Sequence, residues 1–169
     1  MLRTPNSVAH KAPTGPRLNN PRPSLLRKLE IPSLVHGRMP EAATDYAWLD
    51  MDNIRAFMRA TEFLLDLGHQ KIALINGYES MDFARRRRIG FEEGLRAHGI
   101  SIEPSLMTSG EMTETFGYQS TQRFLSLNKA PTAIFVSSIL LALGVQRAIS
   151  EAGLQMDKDI SVVKHDDAL

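Results

Sequence analysis

Lys71-Ile72-Ala73-Leu74-Ile75-Asn76-Gly77 is the stretch on which the fold turns. Its apolar run is unbroken, the mark of a strand buried on both faces rather than one with a wet side. Asn76-Gly77 reads as a turn at its carboxyl end. Next comes Met81-Asp82-Phe83-Ala84-Arg85-Arg86-Arg87-Arg88-Ile89-Gly90-Phe91, which opens an amphipathic helix stopping at His98-Gly99. A helix turns about 100° per residue, so consecutive arginines sweep most of its circumference. With Ala84, Phe91 and Leu95 as the apolar stripe, Arg85 and Arg86 face solvent while Arg87 and Arg88 flank the stripe. An arginine held beside the core, on the helix that follows a strand, points to a ligand anchor.

Working outward, Asp52 or Asn53 caps a helix whose Ile54, Phe57, Thr61, Leu64 and Leu65 keep helical spacing, with Gly68 at its end. On the other side, a weaker strand is expected near Ser105 to Thr108, then a helix over Thr113 to Leu127 with Phe116, Phe124 and Leu127 inward. Thr132-Ala133-Ile134-Phe135-Val136 is a second strong strand. Ser137 or Ser138 caps a helix over Ile139 to Ala152, closed by Gly153. Ile160-Ser161-Val162-Val163 is a third strand, running into Lys164-His165-Asp166-Asp167. Strands alternating with helices mean right-handed βαβ units: an α/β fold with a parallel sheet flanked by helices on both faces.

The N-terminal part differs. Residues 1–23 hold five of the nine prolines and little periodicity, and read as a poorly ordered tail. Ser24 to Leu29 is a short helical turn, Ile31 to His36 a brief strand ending at Gly37, and Arg38 to Tyr46 an irregular connection. A net charge of +1, 23% charged and 43% apolar residues give no global attraction to nucleic acid or acidic membranes. The absence of cysteine excludes disulfides, thiolate metal sites and a cysteine nucleophile. The apolar run Ala133 to Val145 is too short to span a bilayer, and the tail lacks the apolar core of a secretory signal. The expectation is a soluble, cytoplasmic chain.

In an open α/β sheet, ligands sit outside the carboxyl ends of the strands. Those tips carry Asn76 and Gly77, Ser109 and Gly110, Ser137 and Ser138, then His165, Asp166 and Asp167, with Arg87 and Arg88 on the same edge. Hydroxyls, carboxylates and a guanidinium around one crevice suit a polyhydroxylated ligand. Each residue also has a plainer reading. Arg88 with Glu92 forms an i,i+4 pair, Ser137-Ser138 is an N-cap, Asp166-Asp167 a turn, and His165 a structural or exposed histidine. Catalysis is poorly supported. Ser138, His165 and Asp166 spell a triad without a Gly-x-Ser-x-Gly elbow, and Asp166-Asp167 lacks a third metal ligand. There is no phosphate-binding glycine loop and no helix-turn-helix, so neither cofactor, metal nor specific DNA contact is expected of this chain itself.

Asp52-Asn53-x-x-Ala56-Phe57-x-x-Ala60-Thr61-x-x-Leu64-Leu65-x-Leu67-Gly68-His69-x-Lys71-Ile72-Ala73 resembles the LacI/GalR family of bacterial transcriptional regulators. Arg87-x-x-Gly90-Phe91, then Pro131-Thr132-Ala133-Ile134-Phe135 with Ala142-Leu143-Gly144, then Asp159-Ile160-Ser161-Val162-Val163 leading to Asp166, agree in order and spacing. The resemblance implies a periplasmic-binding-protein-like lobe, with 24–46 a remnant of the other lobe and crossover, and 47–169 the C-terminal lobe. It gives Arg87 the effector-gripping position and Asp166 the carboxylate from the last strand tip. Ser138 becomes a polar contact, Arg38 a pocket residue from the first lobe, and Phe83 a face for a sugar ring. Ile139 and Lys164-His165 depart from the family pattern. The expected function is the effector-binding region of a sugar-responsive repressor that acts as a homodimer, pairing near Ile139-Leu140-Leu141. Operator DNA would be bound by a headpiece this chain lacks. The alternative of the same fold is an extracytoplasmic sugar-binding protein.

Overall fold

The computed structural model describes residues 21–37 and 46–165. The expectations for most of the tail, for the connection over 38–45 and for Arg38, Asp166 and Asp167 lie outside the described residues. The chain divides into two compact units, Met1–Met51 with Ser80–Phe83 and Asp52–Glu79 with Ala84–Leu169.

In the first unit, α1 (Arg22–Lys28) starts ahead of the expected Ser24. Pro23 suits the first turn, where its missing N–H would have no partner anyway. β1 (Leu34–His36) pairs in parallel with β2 (Ala47–Leu49), Leu34 opposite Ala47 and His36 opposite Leu49. Nothing in the sequence announced β2. Its three residues are all exposed, so they show none of the apolar-polar alternation that identifies a half-buried strand.

The second unit begins with α2 (Asn53–Asp66), capped by the Asp52 carboxylate, which accepts from the Arg55 N–H at 3.1 Å. Gly68, at φ +94°, ends it. Its N–H donates to Leu65 O and that of His69 to Leu64 O, the paired bonds of a left-handed helix stop. β3 (Ile72–Gly77) is buried throughout and feeds α3 (Asp82–Ala97). A 3-10 turn over Pro104–Leu106 leads to β4 (Met107–Gly110), then α4 (Glu114–Leu125), β5 (Ala133–Val136), α5 (Ile139–Glu151) and β6 (Ser161–Lys164).

Of the boundaries that differ from expectation, two bear on the ladder between β3 and β4. Asn76 and Gly77 remain in β3, paired with Ser109 and Gly110 of β4, so the turn falls beyond them. The Asn76 side chain still does local work, accepting from Gly77 N–H at 2.9 Å and donating to Ala84 O at 2.7 Å. β4 begins two residues later than expected because Pro104, lacking an N–H, sits in the turn rather than the ladder.

The sheet is parallel with strand order β4-β3-β5-β6. Successive strand residues point to opposite faces, and the core divides accordingly. Ile72, Leu74, Ala133 and Phe135 pack with Phe57 and Leu64 of α2 and Phe91 and Leu95 of α3. Ala73, Ile75, Ile134 and Val136 pack with Phe124 of α4 and Leu141, Val145 and Ile149 of α5. Each fully buried aliphatic or phenyl side chain contributes about 1.5–3 kcal/mol. Helices therefore cover both faces, as the alternation of elements predicted. From β3 the chain winds outward to β4, then returns past β3 to β5. The switch point lies between β3 and β5, which is where a crevice opens in such sheets.

Candidate functional site

In a parallel α/β unit each helix runs back against the strands, so every helix starts at the carboxyl edge of the sheet. Asn53 opens α2, Arg87 lies in the second turn of α3, Ser138 caps α5, and His165 follows β6. All belong to the larger unit.

Arg87 is the centre of this edge. It is only 4% exposed. Its Nε donates to Asn53 Oδ1 at 2.8 Å and its Nη1 to the Ser137 carbonyl at 2.7 Å. Its Nη2 meets His165 Nδ1 at 3.3 Å. The guanidinium carbon stands 5.3 Å from the centre of the Phe57 ring, which stacks on Phe135 at 4.2 Å and lies 5.9 Å from the His165 ring. A planar cation is thus held over an aromatic pair by acceptors from α2 and from the residues that follow β5 and β6. Close packing supports the placement: a Cβ at Gly90 would come 2.1 Å from Ile54 O, so only glycine lets α3 approach α2 this closely.

The other arginines separate as follows. Arg88 pairs with Glu92 at 2.8 Å, the predicted i,i+4 partner, and also with Glu79 at 2.9 Å. The Glu92 carboxylate, then that of Glu79, holds its guanidinium above the ordinary value. Arginine is charged at any working pH, so this reports tight pairing and no titration. Arg85 and Arg86 were expected in solvent, but both are half-buried. Four residues in a row wrap the helix too far around to leave two fully outside.

Ser138 is 4% exposed, and its hydroxyl accepts from Leu141 N–H at 3.3 Å, so it serves as the cap of α5. Ser137 is fully buried and offers Arg87 its carbonyl. Phe83 lies in the first turn of α3, half-buried, and groups with the smaller unit. Arg87, Ser137, Ser138 and His165 are brought to one edge; Arg38 and Asp166 fall outside the described residues. Asn53 was missed as a member of the site. Its sequence position reads as a helix start, and no local pattern ties it to a residue 34 positions on. Among the described residues no group of three or more His, Asp or Glu is placed to hold a metal ion. No helix of theirs is long and apolar enough to cross a membrane.

Residues 61–169, more than half of the chain, match the periplasmic binding protein-like domain. The chain belongs to that family. Within the periplasmic binding protein-like family its relatives are LacI-type regulators. It is 46% identical over 153 residues to the HTH-type transcriptional regulator AglR of Rhizobium meliloti (strain 1021), covering 90% of this chain and 43% of AglR. Its structure is similar to that of a putative LacI transcriptional regulator from Bacillus cereus subsp. cytotoxis NVH 391-98. That match has a TM-score of 0.85 and 27% identity, over 92% of this chain and 55% of the other. The transcriptional regulator CelR, solved as a complex with cellobiose, matches with a TM-score of 0.81 and 28% identity, over 90% of this chain and 47% of that one. The chain spans less than half the length of AglR.

Proposed function

We propose that this chain is the effector-binding region of a carbohydrate-responsive, LacI-type transcriptional repressor. The observation that carries the reading is Arg87, a buried guanidinium fixed at the carboxyl edge of the sheet beside its switch point. Sugar hydroxyls donate and accept, and a rigid fork of donors recognises them at little ordering cost. CelR in complex with cellobiose supports a sugar as ligand, and the regulator AglR favours a regulator over a transport protein.

In this reading residues 47–169 are the C-terminal lobe and residues 24–46 a remnant of the other lobe and crossover. Arg87 anchors the effector, with Asp166, Ser138, Arg38 and Phe83 as further contacts. The protein is a cytoplasmic homodimer and no enzyme. Effector binding shifts its lobes between two arrangements, and a helix-turn-helix headpiece of the kind its relatives are named for passes that shift to operator DNA. Ile139, Leu140 and Leu143 are exposed on α5 and supply an apolar face for the dimer.

Calorimetric titration of a form carrying both lobes against a panel of glucosides, cellobiose among them, tests the reading. One member should bind, and Arg87→Lys should weaken it by roughly tenfold or more, the worth of one charge-assisted hydrogen bond. Equal affinity in both proteins removes Arg87 from the site. No binding across the panel removes the sugar.

A further inference from the structure

A guanidinium carries donors only. The imidazole nitrogen that meets Arg87 Nη2 at 3.3 Å must therefore accept, which requires His165 Nδ1 to be without a proton. A hydrogen on Nδ1 would face an N–H of a cation across that distance. Asn53 has the matching constraint: its amide oxygen, not its nitrogen, must face Arg87 Nε at 2.8 Å. The third acceptor, the Ser137 carbonyl, belongs to the backbone after β5 and cannot rotate away. These three acceptors among the described residues come from separate parts of the chain, and His165 is itself tied to the sheet through its N–H to Val136 O at 2.9 Å.

We infer that Asn53 and His165 are positioning residues for Arg87, and that Arg87 in turn locks His165 as the neutral tautomer protonated on Nε2. Two consequences follow for the edge. The guanidinium plane is set before any ligand arrives, so its ordering is not charged against binding. His165 also becomes a donor at Nε2, with its acceptor nitrogen already occupied. The inference deepens the proposed effector site, since it names what aims the arginine that site depends on.

The test needs no effector. Nitrogen-15 spectra of the 169-residue chain at neutral pH should show His165 Nδ1 as an unprotonated, pyridine-like nitrogen and Nε2 as a protonated, pyrrole-like one. A mixture of both tautomers, or a proton on Nδ1, overturns the lock. Arg87→Leu should release the ring into a mixture. Asn53→Leu should speed hydrogen exchange at Arg87 Nε by roughly tenfold or more, and Asn53→Asp, which keeps the acceptor, should restore slow exchange. A residue that merely packs would give the same exchange in both variants, and that result overturns the role of Asn53. If Arg87→Leu fails to fold, the wild-type tautomer and the Asn53 pair still decide. Failure of sugar binding leaves these readouts unchanged, so the two readings can fall separately.

Discussion

Arg87 combines two demands that pull against each other. An anchor is expected to touch ligand and leave the fold alone, yet three of its nitrogens are engaged by the protein and it is 4% exposed. Arg87→Ala would strip partners from the Asn53 oxygen, the Ser137 carbonyl and His165 Nδ1. It should destabilise the chain by about 2–4 kcal/mol in urea unfolding, because buried acceptors lose charge-assisted bonds. An unchanged midpoint would mean that water replaces the guanidinium at no loss. Ser138→Ala should cost about 1 kcal/mol by the same measurement, as the loss of one helix cap. Arg87 could be singled out in the sequence because helical spacing places it beside the Ala84, Phe91 and Leu95 stripe. The partners that aim it could not. Asn53 and His165 lie 34 and 78 positions away, and periodicity carries no information over such distances.

The helices and strands follow local chemistry where it is strong and depart where neighbours decide. Unbroken Val, Ile and Leu runs and capping residues marked β3, β5, α2 and α5 closely. Asn76-Gly77 is turn chemistry by type, but the facing Ser109 and Gly110 draw both residues into the ladder. Pairing with a partner strand is a tertiary fact and outweighs a local preference. Glycine on the helices shows the same precedence. Gly144 of α5 packs so closely on α4 that an added Cβ would meet Glu114 O at 2.0 Å and Tyr118 N at 2.5 Å. Glycine to alanine within a helix normally gains up to about 1 kcal/mol. Gly144→Ala should instead lose about 1–3 kcal/mol, because backbone on the facing helix cannot yield as a side chain can. A raised melting temperature would show that the two helices can separate freely.

Across the whole molecule, surface charge ties α4 to α5. The Tyr118 hydroxyl donates to the Glu151 carboxylate, which Arg147 also reaches at 2.9 Å while lying over the Tyr118 ring at 4.6 Å. The tyrosine hydroxyl, then Arg147, holds the Glu151 carboxyl below its ordinary value, and Glu151 pushes the Tyr118 phenol up. A depressed acid stabilises the fold above its unfolded value and loses that contribution as pH falls through the folded one. A raised phenol does so below its unfolded value and loses it as pH rises past the folded one. Glu151→Gln should therefore lower the melting temperature slightly at neutral pH and match the wild type in strong acid. A constant difference across pH would dissociate the effect from the carboxylate. If α5 forms the dimer, Leu140→Glu with Leu143→Glu should give monomers in light scattering with circular dichroism unchanged, since both leucines are exposed in the single chain. The Arg87 bonds span 34, 50 and 78 residues, so each must close a long loop before it contributes, and we expect them to form after the transition state. Residues whose contacts form after the transition state govern how fast the native state is lost, not how fast it is reached. In a chevron analysis Arg87→Ala should steepen nothing and leave the refolding limb in place while raising the unfolding limb. The residue that aims at a ligand would then also set how long the folded molecule survives between openings.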